Sequence, residues 1–291
     1  MKVHLIDGTY ELFRQHFGAA RHHENPSAVA ATVGVLGSTL QLIADGVTHV
    51  GVASDHVIES FRNDLWEGYK SSEGMDPVLL NQIPLLEDAL VAMGVTTWAM
   101  VEYEADDALG AAALVADEDA RVEQVLIVTP DKDLGQCVRG DRVVQFDRRK
   151  GEIIDEEAVI AKFGIGPDSI PDYLALVGDT ADGFPGLKGW GAKSTATVLA
   201  RYGRLEDIPD DPKQWDVPGV RGAEKLAGIL TEQRDLAVLF RRIATVVTDI
   251  AVGAVDDWQW RGPTPEFAAI AEYLGAPHLI DRADRLADKL G

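Results

Sequence analysis

The sequence predicts an α/β fold with a mainly parallel central sheet flanked by helices. Three observations lead there. The short apolar runs VHLID (3–7), THVGVAS (48–54) and QVLIVT (124–129) have the length and β-branched content of buried strands. Segments of helical period separate them, and strands alternating with helices imply right-handed crossovers between parallel neighbours. Acids cluster at or just after the ends of these runs, placing charge on the carboxyl rim of the sheet, where open α/β folds carry their function.

Taken in order, VHLID ends at Asp7, and a Gly- and His-bearing segment follows. Asn25-Pro26-Ser27 opens a helix over 28–45, with Pro early and Ser near the cap. THVGVAS is the second strand. Residues 60–93 read as helical, broken around SSEGMDP (71–77). VTTWAMV (95–101) is a short strand, and an Ala-rich helix over 104–118 holds Glu104, Asp106 and Asp107 in its first turn. QVLIVT and RVVQFD (142–147) complete this half, and Arg148-Arg149-Lys150 reads as the solvated turn of a hairpin. Beyond 160 the strand signal fades. Helices are expected over 168–177, 192–202, 221–231 and 233–244, then a strand at VVTDIAV (246–252) and a helical tail from 264. PGLKGWGAKSTATVL (185–199) echoes PGVRGAEKLAGIL (218–230), equally as a degenerate repeat or by chance. The expected organisation is a core over 1–160, a helical region over 161–245 and a return to the core over 246–291.

The 291 residues are 46% hydrophobic, enough for a substantial core. The net charge of −21 falls only to −12 without the nine acids discussed next, so nucleic acid could be held only through local basic patches and metals. The single cysteine, Cys137, excludes an intrachain disulfide and reads as a small buried residue. No signal peptide or membrane-length apolar run is visible, and a soluble cytoplasmic protein is expected.

The nine acids are Asp7, Asp55, Glu104, Asp106, Asp107, Asp131, Asp133, Asp179 and Asp182. Singly, each has an ordinary explanation as a turn, a cap or a dipole partner. Jointly, three separate strands would have to lead into acids by accident. Carboxylates gathered on one rim repel each other and stay ionised only beside cations, and hard divalent ions prefer such oxygen ligands. Two such ions about 3.5–4 Å apart stabilise the attacking and leaving oxygens of an in-line phosphoryl displacement. That chemistry needs no His or Cys nucleophile, and the sequence offers no convincing alternative one. In GLKGWGAKS (186–194), Gly186, Gly189 and Gly191 let backbone amides approach a phosphate before a helix N-terminus, with Lys188 and Lys193 as cationic partners.

The motifs LIDGTYELFR (5–14), SFRNDLWEGYK (60–70), EYEADDALG (102–110), VTPDKDL (128–134) and LVGDTADGFPGLKGWGAKSTA (176–196) occur in an order that resembles the structure-specific 5′ nucleases. That family includes flap endonucleases and the 5′-nuclease domain of bacterial DNA polymerase I. The resemblance covers roughly residues 1–205. It implies a PIN-like core and a helix-two-turn-helix over 186–194 that grips duplex backbone and holds K⁺. It implies one divalent cation (Mg²⁺ or Mn²⁺) at Asp7, Asp55, Glu104 and Asp106 and a second at Asp131, Asp133, Asp179 and Asp182, with Asp107 as an additional acid. It also implies that Lys70 and Arg62 orient the scissile phosphate, that Tyr69 stacks on a base and that Arg14 contacts DNA. Two positions depart from the pattern: Glu73, where many relatives carry Arg, and Gly183, where they often carry Asn.

The implied activity is a free-standing flap endonuclease and 5′→3′ exonuclease of DNA replication and repair. It would act as a monomer on branched, flapped or nicked DNA and on RNA/DNA hybrids, associating with the nucleoid when bound and with no membrane. The alternative is a non-catalytic module that binds branched nucleic acid. A phosphatase of the haloacid dehalogenase type needs a nucleophilic Asp where this chain has Leu5 and an acid where it has Gly183. GLKGWGAKS and the complete second acid set disfavour a compact PIN-type ribonuclease.

Overall fold

A computed structural model describes residues 1–22 and 28–289, which form two compact units. The first comprises Met1–Ile58, Ser72–Thr129 and Val247–Gly291. Its strands are β1 (Lys2–Asp7), β2 (His49–Asp55), β3 (Thr96–Met100) and β4 (Gln124–Val128). All pair in parallel, in the order β3-β2-β1-β4, with Asp7 opposite Ala53 at one end. Every residue of β2 and all but the first of β1 are buried. Sheets covered on both faces read as continuous apolar runs for this reason. The helix Ala30–Ala44 packs on the helices Gly8–His22, Gln82–Ala92 and His278–Ala287. The expected Asn25-Pro26-Ser27 start lies outside the described residues.

The second unit comprises Glu59–Ser71 and Pro130–Val246. β5 (Val143–Asp147) and β6 (Glu152–Ile154) pair antiparallel. The helices Glu156–Phe163, Ile170–Val177, Ala192–Tyr202, Ala223–Glu232 and Arg234–Ala244 surround a core that includes Leu174, Leu176, Phe184, Trp190 and Phe240. At the hairpin, the Lys150 ammonium pairs with Asp147 and Glu152, and Asp147 accepts the Arg149 backbone amide, so Asp147 organises the turn.

The structure corrects several expectations. Residues 246–252 form no strand. The Val252 carbonyl instead accepts the indole N–H groups of Trp98 and Trp258, and the Val247 amide donates to Asp107. Side chains thus take the groups a ladder would use. The helix expected over 60–93 is reduced to Phe61–Leu65, Pro77–Leu80 and Gln82–Ala92, with irregular backbone from Trp66 to Asp76. Cys137 is only half-buried, at the end of a tight helical turn, Asp133–Cys137. Among the described residues no helix is long and apolar enough to cross a membrane.

Candidate metal centre

In the first unit, the acids lie at element ends that the parallel sheet brings to one rim. Asp7 closes β1 and Asp55 closes β2. Asp7 accepts the Tyr10 amide (2.8 Å), capping the helix that follows, and the Thr129 hydroxyl (3.0 Å) beyond β4. Gly8 is required by a close approach, because a Cβ there would meet the Ala53 carbonyl oxygen at 2.7 Å. Asp55 accepts the Ala105 amide (2.8 Å), tying the start of the helix Ala105–Glu118 to the end of β2. Glu104 is buried at that start and Asp106 is half-buried within its first turn.

Asp107 differs from its neighbours. It is fully buried; one oxygen accepts the Glu104 amide (2.9 Å) and the other the Val247 amide (2.8 Å). Both oxygens hold backbone, which makes Asp107 a splint for the acidic helix start.

In the second unit, Asp133, Asp179 and Asp182 converge, with one carboxylate oxygen from each lying within 4.8 Å of the others. Asp133 opens the turn after β4, and Asp131 fixes it by accepting the Asp133 amide (3.0 Å). Asp179 and Phe184 exchange backbone hydrogen bonds of 2.8 and 3.0 Å, closing a tight loop that carries Asp182. Asp133 is 6% exposed and Asp179 is 4% exposed. Asp133 Oδ1 is buried and accepts no hydrogen bond; Lys132 Nζ lies 3.3 Å away, at ion-pair distance without hydrogen-bond alignment. Burial, followed by the charge of Asp131, pushes the Asp133 carboxyl well above its usual range, against the pull of Lys132. Burial alone would lower the Lys132 ammonium, but Asp133, Asp179 and Asp131 together hold it well above the ordinary lysine value. An all-oxygen set with an unsatisfied buried carboxylate oxygen fits a hard divalent cation.

The segment Glu59–Ser71 joins this trio. Lys70 Nζ lies 3.2 Å from Asp182 Oδ1, and the Lys70 amide donates to the Asp182 carbonyl (3.0 Å). Two neighbours do not face outward as expected. Arg62 is 3% exposed; its Nε donates to the Ile243 carbonyl (2.7 Å) and Nη2 to that of Thr245 (3.0 Å). It caps the end of the helix Arg234–Ala244. Tyr69 is buried in the core of the second unit, beneath the Lys70 ammonium. Both side chains position the backbone that carries Lys70. Arg14 is half-exposed and pairs with the buried Glu11 through Nη2 (2.5 Å) and Nε (3.3 Å).

In GLKGWGAKS, Leu187 and Trp190 are buried anchors, whereas Lys188, Gly189, Gly191 and Lys193 are exposed. Gly186 and Gly189 adopt positive φ (65° and 98°), and Gly191 caps the helix Ala192–Tyr202. The loop therefore turns its cations and the helix N-terminus outward. Glu73 is exposed.

Sequence reasoning missed three contributors. Lys132 was visible as a cation inside an Asp-x-Asp pair, and Glu11 as an acid three residues before Arg14. Glu87, which accepts from the Ser54 hydroxyl and His56 Nδ1 (2.6 Å each), had no local signal because its partners come from another element.

The fold and centre define a class: an α/β protein with an acidic centre suited to hard cations, and a helical unit presenting a glycine-rich cationic loop. Residues 2–164 match the family described as 5′-3′ exonuclease, N-terminal resolvase-like domain, and residues 165–266 match its C-terminal SAM fold. The chain belongs to the 5′-3′ exonuclease family. It is 32% identical to a 5′-3′ exonuclease of Aquifex aeolicus over 74% of this chain and 73% of that one. It is 31% identical to DNA polymerase I of Mycobacterium leprae over 87% of this chain but only 28% of the relative, so it spans under a third of that polymerase. In fold it resembles T5 5′-exonuclease with bound zinc (TM-score 0.68, 16% identity, 99% of both chains). It also resembles flap endonuclease-1 of Methanococcus jannaschii (TM-score 0.59, 16% identity, 100% of this chain and 93% of that one).

Proposed function

We propose that this chain is a divalent-metal-dependent, structure-specific 5′ nuclease that hydrolyses phosphodiesters near junctions of flapped, branched or nicked DNA. The observation that carries this reading is the convergence of Asp133, Asp179 and Asp182, with Lys70 on Asp182, in a chain of the 5′-3′ exonuclease family. Residues 1–160 and 246–291 supply the nuclease core, and 161–245 the duplex grip together with Asp179 and Asp182 of the acidic trio.

Asp7, Asp55, Glu104 and Asp106 would hold one Mg²⁺ or Mn²⁺, and Asp131 with the convergent Asp133, Asp179 and Asp182 would hold the other. When bound, these ions supply Lewis-acid stabilisation of charge on the attacking and leaving oxygens. Asp107 keeps the helix start that carries Glu104 and Asp106 in place. Lys70 orients the scissile phosphate through a charge-assisted hydrogen bond. Water adds to phosphorus and the P–O3′ bond breaks, leaving a 3′-hydroxyl and a 5′-phosphate. Duplex backbone docks on the loop 186–194, where Lys188, Lys193 and the helix start meet phosphates and backbone carbonyls would hold K⁺. The protein acts as a monomer in DNA replication and repair.

A 5′-labelled flap substrate tests this. Wild type with Mn²⁺ should release the flap or mononucleotides. Asp179→Asn should lose about a hundredfold or more in turnover while still shifting flap DNA in a gel. Binding without cleavage by the wild type would instead favour the non-catalytic branched-DNA module.

A further inference from the structure

Each acid of the convergent trio already faces an ammonium group. Lys132 Nζ donates to Asp179 Oδ2 and lies 3.3 Å from Asp133 Oδ1. Lys70 Nζ lies 3.2 Å from Asp182 Oδ1. These contacts engage all three candidate ligand residues. An ammonium and a divalent ion in so small a space repel each other strongly, the more so at buried carboxylates.

Both lysines have a way out. Their side chains are 29% (Lys70) and 33% (Lys132) exposed, whereas Asp133 and Asp179 beneath them are almost wholly enclosed. Their backbones are fixed. The Lys70 amide donates to Asp182 and its carbonyl accepts from Asn63 Nδ2 (2.9 Å), while Lys132 caps the turn Asp133–Cys137. Movement is therefore confined to the side chains. The charges also match, because one divalent ion replaces two monovalent ones.

We propose that Lys70 and Lys132 are displaceable stand-ins for the divalent cation of this trio, so that loading the ion expels both ammonium groups and turns Lys70 toward substrate. The inference rests on the reading of the trio as a metal centre. It makes Lys132 a positioning residue whose role lies in the metal-free protein. It also couples metal loading to the availability of the phosphate-orienting lysine, so that the centre is armed only when loaded.

Two measurements on the full chain test it. By calorimetry, Lys132→Met should bind Mn²⁺ about tenfold more tightly than wild type, the scale of one lost ion-pair contact, at the site that Asp179→Asn removes. By amine acylation and mass spectrometry of the wild type, Lys70 and Lys132 should label faster in Mn²⁺ than in EDTA, while the exposed Lys188 and Lys193 serve as controls. Affinity that is unchanged or weaker in Lys132→Met, or labelling of the two lysines that ignores Mn²⁺, overturns the exchange. If Lys132→Met does not fold, the wild-type labelling decides alone. Absence of any Mn²⁺ binding that Asp179→Asn removes would overturn the metal centre itself, and the exchange with it.

Discussion

At Asp133, function and stability pull in opposite directions. Burial and the neighbouring Asp131 raise its carboxyl above the ordinary 3.8, so the folded state binds its proton more tightly than the unfolded chain does. The stability this residue contributes is therefore complete below 3.8 and is lost as pH rises through its folded value. At neutral pH, burying the Asp133 carboxyl beside Asp131 is therefore a destabilising feature of the fold. Asp133→Asn should raise the melting temperature in EDTA by about 2–4 °C at pH 7, with the gain vanishing near pH 4. Mn²⁺ should stabilise the wild type more than the variant, which keeps the acids of the first unit intact. Equal melting curves at pH 7 would show that Lys132 fully compensates the buried charge. Legibility at this scale was uneven. The acids were readable from their positions beside strand ends and in paired spacing. Arg62 and Tyr69 were not, because a basic and an aromatic residue beside a lysine look the same whether they face solvent or core. The carbonyls of Ile243 and Thr245, about 180 residues away, make Arg62 a strut.

Among elements, the contact between the turn carrying Lys70 and the loop carrying Asp182 governs the centre. Gly183 has φ of 82°, and a Cβ there would run into the Gly68 carbonyl oxygen. Trp66 Nε1 donates to the Gly183 carbonyl (3.1 Å), and its ring packs edge-on against Phe240. The departure from Asn at this position thus accompanies a glycine-on-glycine approach. Gly183→Asn should cost about 1–3 kcal/mol in urea unfolding and reduce flap cleavage. Asn tolerates left-handed backbone better than most residues, so a loss would come from the collision, and wild-type stability in this variant would dismiss the contact. The strands β1, β2 and β4 were legible because burial on both faces writes an uninterrupted apolar run. Residues 246–252 write a similar run for a different reason, with Val246 and Val252 anchoring irregular chain. The helix Gly8–His22 was missed because Gly, Thr, Phe and His dilute its propensity. The helix Glu156–Phe163 went unread despite its signals, an Asp155 cap on the Ala158 amide (2.9 Å) and Gly164 at φ 74°.

For the molecule as a whole, the question is how a chain of net charge −21 holds a polyanion. Long-range electrostatics opposes association, so binding must rest on a few short-range contacts made within a Debye length of the phosphates. On the proposed function, the exposed Lys188 and Lys193 beside the N-terminus of the helix Ala192–Tyr202 would make such contacts, and buried Leu187 and Trp190 fix the loop that presents them. Each lysine that meets a phosphate releases condensed counterions when it binds, adding about 0.9 to the slope of log affinity against log salt on duplex DNA. Lys188→Ala and Lys193→Ala should each weaken flap-DNA binding to a similar degree whatever the duplex sequence, and flatten that slope by about 1. Fluorescence anisotropy in Ca²⁺ across a salt series would measure both. Neither substitution should change the Mn²⁺-induced rise in melting temperature, because neither residue belongs to the acidic trio. A weakened affinity with an unchanged slope would mean that the loop shapes the grip without touching phosphate. An unchanged affinity would move the duplex contact to another surface altogether.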